Sequence, residues 1–348
     1  MNAAAQGWQR TADVLEDRYG LTAATIDLVH MNADSTDYYV DTYDGPRLYV
    51  TEYLRPAVAR TARTALGMSQ YCRAAGLPVP TVWTDVDGDL VPDAEGSSWA
   101  VIDEAPGALA TGAMTVALAE HIGGLVGRMH RVLAAYPLPN LSADLSWRTE
   151  MVDSLIARCD AVTSRAGREP DEHAMLLRTD LEQRREDLHR HTYALRRLLP
   201  PDLASQALHG DLSRLSLFLV DDTVRGITGF LGVHAHLAWE LARLAFDPRT
   251  VAASPEWISC ARAMMLAYHA ENPSLRRVEI QAAPRVALLC LLVSFFGAIP
   301  AEYGQTKPAE AALRQHWREV QTTIRALLNH LDELDDVFDD PTFETDSR

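Results

Sequence analysis

The 348-residue chain reads as an α+β protein of two lobes, the first rich in β-strand and the second mainly helical. Three observations predict that class. The length is roughly twice what a single hydrophobic core usually organises. Short runs dense in β-branched and aromatic residues, broken by Gly, Pro and Asp, fill the first hundred residues. Beyond Ala105-Pro106-Gly107 the apolar positions recur at helical spacing, with one compact β segment interposed. The expected division is a β-rich lobe over 1–105 with one packed helix, a helical lobe over 106–334, and an acidic, solvated tail over 335–348.

In the first lobe, Asp37 to Thr42, Arg47 to Leu54 and Trp99 to Asp103 read as strands. Asp44-Gly45-Pro46 and Asp87-Gly88 supply turn residues between them. A helix is predicted from about Ala57 to Ala75, stopped by Gly76 with Pro78 beyond it. Met1 to Gln6 reads as a frayed terminus, and no signal peptide is recognised.

The second lobe opens with a predicted helix over Met114 to Ala135, which places Val116, Leu118, Ile122, Leu125, Val126, Met129 and Leu133 on one face. Its Ile122 to Gly127 run, IGGLVG, neither follows a strand nor opens a helix, so close helix packing explains its glycines better than a nucleotide loop. Two polar amphipathic helices are expected over Arg148 to Ala166 and Glu172 to Leu199. A β segment follows at Leu217 to Val220 and Gly226 to Phe230, then helices from about Leu237 to Leu334. Val286 to Ile299 is apolar but too short to span a bilayer, and reads as a buried helix.

Composition narrows the partners. A net charge of −16 argues against nucleic acid or an anionic membrane, both of which demand a basic surface. Cys72, Cys159, Cys260 and Cys290 form no CxxC, so neither a zinc cluster nor a disulfide framework is indicated and a reducing cytoplasm is expected. None of them sits in a motif that would activate a thiolate. Lysine occurs once, at Lys307.

The most chemically suggestive stretch is ALHGDLSRLSLFLV, residues 207–220, which contains His209-Gly210-Asp211. An apolar strand follows the triplet, and a second strand follows the turn Asp221-Asp222. Ahead of it stand Arg47 to Pro56, the turn Ala74 to Pro80 (AAGLPVP), Trp99 to Gly107, and Glu120 to Leu133 with His130; Glu240-Leu241-Ala242 lies behind. In this order the segments resemble the aminoglycoside phosphotransferase and choline kinase family over about Thr22 to Leu328. The resemblance implies a two-lobe, protein-kinase-like fold with a ligand cleft between the lobes.

Phosphoryl transfer in such a fold uses a strand lysine paired with a helix glutamate to hold the phosphates. An aspartate receives the acceptor proton, and an asparagine and a second aspartate hold magnesium. These charges neutralise an anionic triphosphate and its transition state. The resemblance places the lysine at Thr51 or Glu52, with Glu52 preferred, and the paired glutamate at Ala65. It places the magnesium ligands at Ser216 and Gly232, and the proton acceptor at Asp211. Only Asp211 is retained. A carboxylate at Glu52 facing the phosphates would repel them, and the Ser216 hydroxyl would be a weak ligand at best. Arg47 or Arg55 could substitute in part for the lysine, although a guanidinium fork is not equivalent to an ammonium.

His209, His234 and His236 complete the candidate acid-base set around Asp211. A histidine near neutrality beside a carboxylate suits proton transfer. Structural roles, for His209 in its turn and for the His-x-His pair in a loop, stand beside that reading. No metal site and no cofactor are expected. The leading expectation is a pseudokinase that has lost ATP- and magnesium-dependent phosphoryl transfer. It would serve natural-product biosynthesis by acid-base catalysis of cyclisation, adding a thiol to a dehydroamino acid of a ribosomal peptide. An ATP-dependent small-molecule phosphotransferase, or a noncatalytic scaffold for a partner biosynthetic enzyme, are the alternatives. The expected occupant of the interlobe cleft is accordingly a peptide or small-molecule biosynthetic substrate.

Overall fold

A computed structural model describes residues 3–43, 45–137, 145–166, 172–299 and 307–343. Its contacts fall into two compact units, one built from 1–111, 132–139 and 207–233, the other from 112–131, 140–206 and 234–348. The 207–233 segment, which carries the HGD turn, therefore groups with the N-terminal sheet.

The first unit begins with α1 (Ala3–Tyr19), then β1 (Ala23–Met31), β2 (Ser35–Thr42), β3 (Leu48–Tyr53), α2 (Pro56–Ala74), β4 (Val82–Trp83), β5 (Asp93–Ala94), β6 (Ser97–Asp103) and β7 (Ala108–Leu109). The sheet order is β1-β2-β3-β6-β4, with β5 also on β6, and all pairs are antiparallel. Strand alternation gives the sheet two distinct faces. Val40, Leu48, Val50, Trp99 and Val101 point to one face and bury Val14, Leu15 and Tyr19 of α1. Burying a side chain such as Leu15 contributes about 2 kcal/mol, which is why the N-terminal segment is a packed helix rather than a frayed end. The opposite face carries Tyr39, Tyr49, Thr51 and Tyr53.

The β segment of this unit is β9 (Leu217–Val220) and β10 (Thr223–Ile227), an antiparallel hairpin that pairs with β7 through β9. β8 (Ser205–Leu208) leads into the HGD turn. The Ile227 N–H donates to the Pro78 carbonyl (2.8 Å), tying the hairpin to the turn after α2.

The second unit is helical: α3 (Val116–Leu133), α4 (Ser146–Thr149), α5 (Val152–Arg165), α6 (Glu172–Arg197), then, after β11 (Val233–His236), α7 (Leu237–Ala245), α8 (Pro248–Ala253), α9 (Trp257–Glu271), α10 (Arg277–Val293), α11 (Lys307–Asn329) and α12 (Leu331–Phe338). The glycines of IGGLVG serve packing. A Cβ on Gly123 would lie 2.1 Å from the Met264 carbonyl oxygen and one on Gly127 2.7 Å from that of Tyr268, both on α9. A buried network runs through this packing: His130 bonds Glu240 through Nε2 (3.0 Å) and Tyr268 through Nδ1 (2.9 Å), and Asn272 donates to the Tyr268 hydroxyl (3.0 Å).

Within the polar α6, Arg184 is buried and donates to the carbonyls of Leu291, Leu292 and Ser294, completing the end of α10. One expectation is corrected. The acidic end is not a solvated tail throughout: α12 buries Leu334 and Phe338 at i and i+4, and Phe343 is buried against Phe338.

Candidate functional site

The turn that presents Asp211 is held by its own backbone and by His209. The His209 ring is fully buried and lies over Phe230, with centroids 4.2 Å apart. Its Nε2 donates to the Thr228 carbonyl (2.9 Å), and its Nδ1 accepts from the Asp211 N–H (3.2 Å). One tautomer satisfies both bonds, so the ring is a framework piece that orients Asp211 rather than a proton carrier. The His209 carbonyl accepts from the N–H groups of Leu231 (2.8 Å) and Gly232 (3.1 Å). Gly210 has φ +96, and a Cβ there would meet Leu231 and Val233 at 3.0–3.1 Å, so glycine is required. Asp211 is exposed.

Ser216, at the expected magnesium position, is occupied locally. Its hydroxyl donates to the Ser213 carbonyl (2.7 Å) and accepts from the Ser213 N–H (2.9 Å) in a reciprocal cap of a short helical turn. It does not stand ready as a ligand.

The sheet decides between Thr51 and Glu52. Glu52 shares its face with Leu48 and Val50, accepting from Arg10 (2.5 Å) and from the Ser97 hydroxyl (2.7 Å). Thr51 faces the other way, into a cavity of ≈ 450 Å³, and donates to Asp37 (2.8 Å). The preferred placement at Glu52 is thus corrected: the strand position that faces the cavity is neutral, and no inverted charge points at it. The two arginines considered as substitutes are engaged, Arg47 with Asp41 (3.2 Å) and Glu104 (3.4 Å), and Arg55 with Asp34 (2.8 Å).

Ala65 and Gly232, expected to replace the glutamate and the metal aspartate, lie together. A Cβ on Gly232 would stand 3.5 Å from the Ala65 Cα and 3.6 Å from the Met68 methyl, and Gly232 has φ +66. These are ordinary van der Waals distances, so it is the left-handed backbone at 232, and not a clash with the helix, that disfavours a carboxylate there. The cavity itself is lined by Tyr39, Tyr49, Tyr53, Phe218 and Phe230, by Thr51 and Ser69, and by Asp103 and Glu104 among others, with no Lys, Arg or His among the described lining residues. Triphosphate and magnesium do not fit these side chains, which offer the phosphates no cation and the metal no carboxylate at 232.

His234 and His236 belong to the second unit. His236 packs edge-to-face against Trp147 (6.0 Å) and its Nδ1 donates to the Leu203 carbonyl (3.2 Å). Burial first, then the Arg148 guanidinium, holds its pKa below the usual histidine value. His234 is half-buried. Among the described residues, no group of three or more His, Cys, Asp or Glu side chains is arranged to hold a metal, and no helix is long and apolar enough to cross a membrane. The aromatic lining, Ser69 and Asp103 escaped the sequence reading, although the Tyr-x-Thr-x-Tyr alternation of β3 was a signal for one face of it.

This arrangement defines a phosphotransferase-like scaffold, and comparison with known proteins agrees. Residues 25–279 match the model of the phosphotransferase enzyme family. The chain belongs to that family. The two-lobe kinase-like fold expected from the sequence is found in solved structures. One is spectinomycin phosphotransferase with ADP and spectinomycin (13% identity, 92% of this chain and 98% of that one, TM-score 0.59). Another is amicoumacin kinase with AMP-PNP, Ca2+ and its substrate (14%, 92% and 96%, 0.58). A third is an aminoglycoside phosphotransferase from Alicyclobacillus acidocaldarius (13%, 89% and 93%, 0.54). At these identities the likeness concerns the fold. A comparison with curated proteins found no match.

Proposed function

We propose that this family member no longer transfers phosphate and uses Asp211 as a proton acceptor on a biosynthetic substrate. The observation that carries the reading is the contrast within one unit: an exposed Asp211 held in a fully built turn, and a cavity whose described lining residues include no basic one. A positioned carboxylate remains useful once triphosphate and metal are gone, because proton removal from a hydroxyl, amine or thiol needs only geometry and basicity.

The particular reaction proposed is ring closure on a ribosomal peptide. Asp211 takes the proton of a cysteine thiol, the sulfur bonds to the β-carbon of a dehydroamino acid, and the resulting enolate receives a proton at its α-carbon. The proton that Asp211 has taken up is available for that step, and of the His-x-His pair the His236 Nδ1 is committed to Leu203. His209 acts by positioning. The working locale proposed is the cytoplasm, with no resident cofactor.

A second reading, ATP-dependent phosphorylation of a small molecule, is favoured by family membership and by the nucleotide complexes among the structural neighbours. Calorimetric titration with ATP and magnesium, together with Asp211→Asn in the native pathway, separates the readings. No nucleotide heat with loss of product in the variant supports proton transfer. Nucleotide binding sinks it in favour of a kinase, and full function of Asp211→Asn sinks it in favour of a scaffold for a partner enzyme.

A further inference from the structure

The cavity on the open face of the sheet contains chemistry that the proton-transfer reading does not use. We infer that it binds an organic cation, an ammonium group on an apolar body, in place of a nucleotide. The inference rests on the reading that phosphoryl transfer has been lost, and goes beyond it by assigning a ligand class to the vacated ground.

Ring chemistry is the first support. Five aromatic side chains line the cavity, and Tyr39 meets Tyr49 edge-to-face with centroids 5.4 Å apart. Ring faces attract cations, more strongly where water is excluded. Tyr39 already accepts one: the Arg47 guanidinium lies 4.6 Å from its centroid.

The sign of the charge is the second. The described lining residues include the Asp103 carboxylate and that of Glu104, which pairs with Arg47 (3.4 Å), and none of them is basic; Asp37 stands behind Thr51. Asp103 is oriented by the Trp83 indole N–H, which donates to one of its oxygens (2.8 Å). A fixed carboxylate beside aromatic rings suits an ammonium and repels a phosphate. The tyrosines respond to the same surroundings: burial first, then Asp37, pushes the Tyr53 hydroxyl up to about 12.

A polar group in the wall is the third. Ser69 on α2 is 6% exposed and lines the cavity, where its hydroxyl can pair with a donor or acceptor on the ligand. The volume, ≈ 450 Å³, lies within the range of small-molecule sites.

The test is calorimetric titration of the full chain with benzylamine, cationic at neutral pH, with benzyl alcohol as its neutral near-isostere, and with magnesium-ADP. Benzylamine is expected to bind about tenfold more tightly than the alcohol. Asp103→Asn and Tyr49→Leu should each remove most of that preference, and Glu104→Gln, at a less enclosed position, provides a second carboxylate variant should Asp103→Asn fail to fold. Equal binding of amine and alcohol overturns the inference. Binding of neither, with no ADP heat, also overturns it while leaving the proton-transfer reading intact. Magnesium-ADP that displaces benzylamine overturns both.

Discussion

The turn that bears Asp211 and the strand-and-helix pair that bears Thr51 and Ala65 belong to the same compact unit, yet they have diverged differently. At the turn the supporting parts persist: His209 bonds on both ring nitrogens, Gly210 takes a positive φ, and the His209 carbonyl gathers the Leu231 and Gly232 N–H groups. At β3 and α2 the positions to which the resemblance assigns an ion pair are neutral, Thr51 bonding Asp37 and Ala65 lying against Gly232. The difference teaches that presenting one carboxylate is a nearly local task, solved by a few adjacent residues. Holding a triphosphate is a distributed one, and losing any charge devalues the others, because an ion left buried without its partner costs several kcal/mol.

The largest effect expected from this contrast is functional. Asp211→Asn should lower product formation in the native pathway by about 10²–10⁴-fold. Unchanged product would break the contrast at its preserved end.

Next come the glycines. Gly210→Ala must place a Cβ 3.0 Å from Leu231 at φ +96, and should cost about 1–3 kcal/mol in urea unfolding. At the altered end, the double variant Thr51→Lys, Gly232→Asp restores two family side chains. It is expected to be destabilised by a similar amount through the strained φ of +66, and to give no magnesium-ADP heat. Nucleotide binding by this variant would break the contrast at that end.

A smaller effect is expected at the other sheet face. Arg10→Met leaves the Glu52 carboxylate with Ser97 alone, and the loss should be about 1–2 kcal/mol because Arg10 is partly exposed and screened. Cation binding in the cavity should not change, since Glu52 faces away from it.

The smallest concerns pH. His236 is held below its ordinary pKa of 6.5, mainly by burial, so the fold favours the neutral ring. The unfolded chain takes up this proton first, hence stability is full above about pH 6.5 and falls as the pH drops through it. His191, His269 and His316 are lowered in the same direction, burial again the chief cause. His236→Gln should flatten part of the slope between neutral and mildly acid pH, read from unfolding midpoints.

Much of the fold was legible in the sequence because its signals are local. The Gly76 stop closes α2 within a residue of its expected end, and the seven apolar residues predicted for one face of α3 are all buried except Val116, which is exposed. Others were missed for physical reasons. β1 is largely exposed along its length, so it lacks the apolar alternation that marks a half-buried strand. No helix was expected over residues 7–19, although Leu15 and Tyr19 of α1 stand four residues apart, because the stripe is short among polar residues. Arg184 could not be foreseen, since its partners are carbonyls more than a hundred residues away.

What the sequence determined by itself is the identity of the groups: an α+β chain, an HGD turn with its aspartate, a single lysine far from the N-terminal strands, and the residues Thr51, Glu52, Ala65, Ser216 and Gly232 at positions to which only the resemblance assigns charges or metal ligands. What only the tertiary structure decided is which way they point. Thr51 and Glu52 are neighbours in the chain, but a pleated strand sends them to opposite faces, and a shift of one residue in reading exchanges cavity for core. Pairing of β3 with β2 and β6 fixes that choice. The meeting of Ala65 with Gly232, and of Tyr39, Tyr49 and Asp103 around one cavity, likewise depends on contacts between distant segments, which no local pattern encodes.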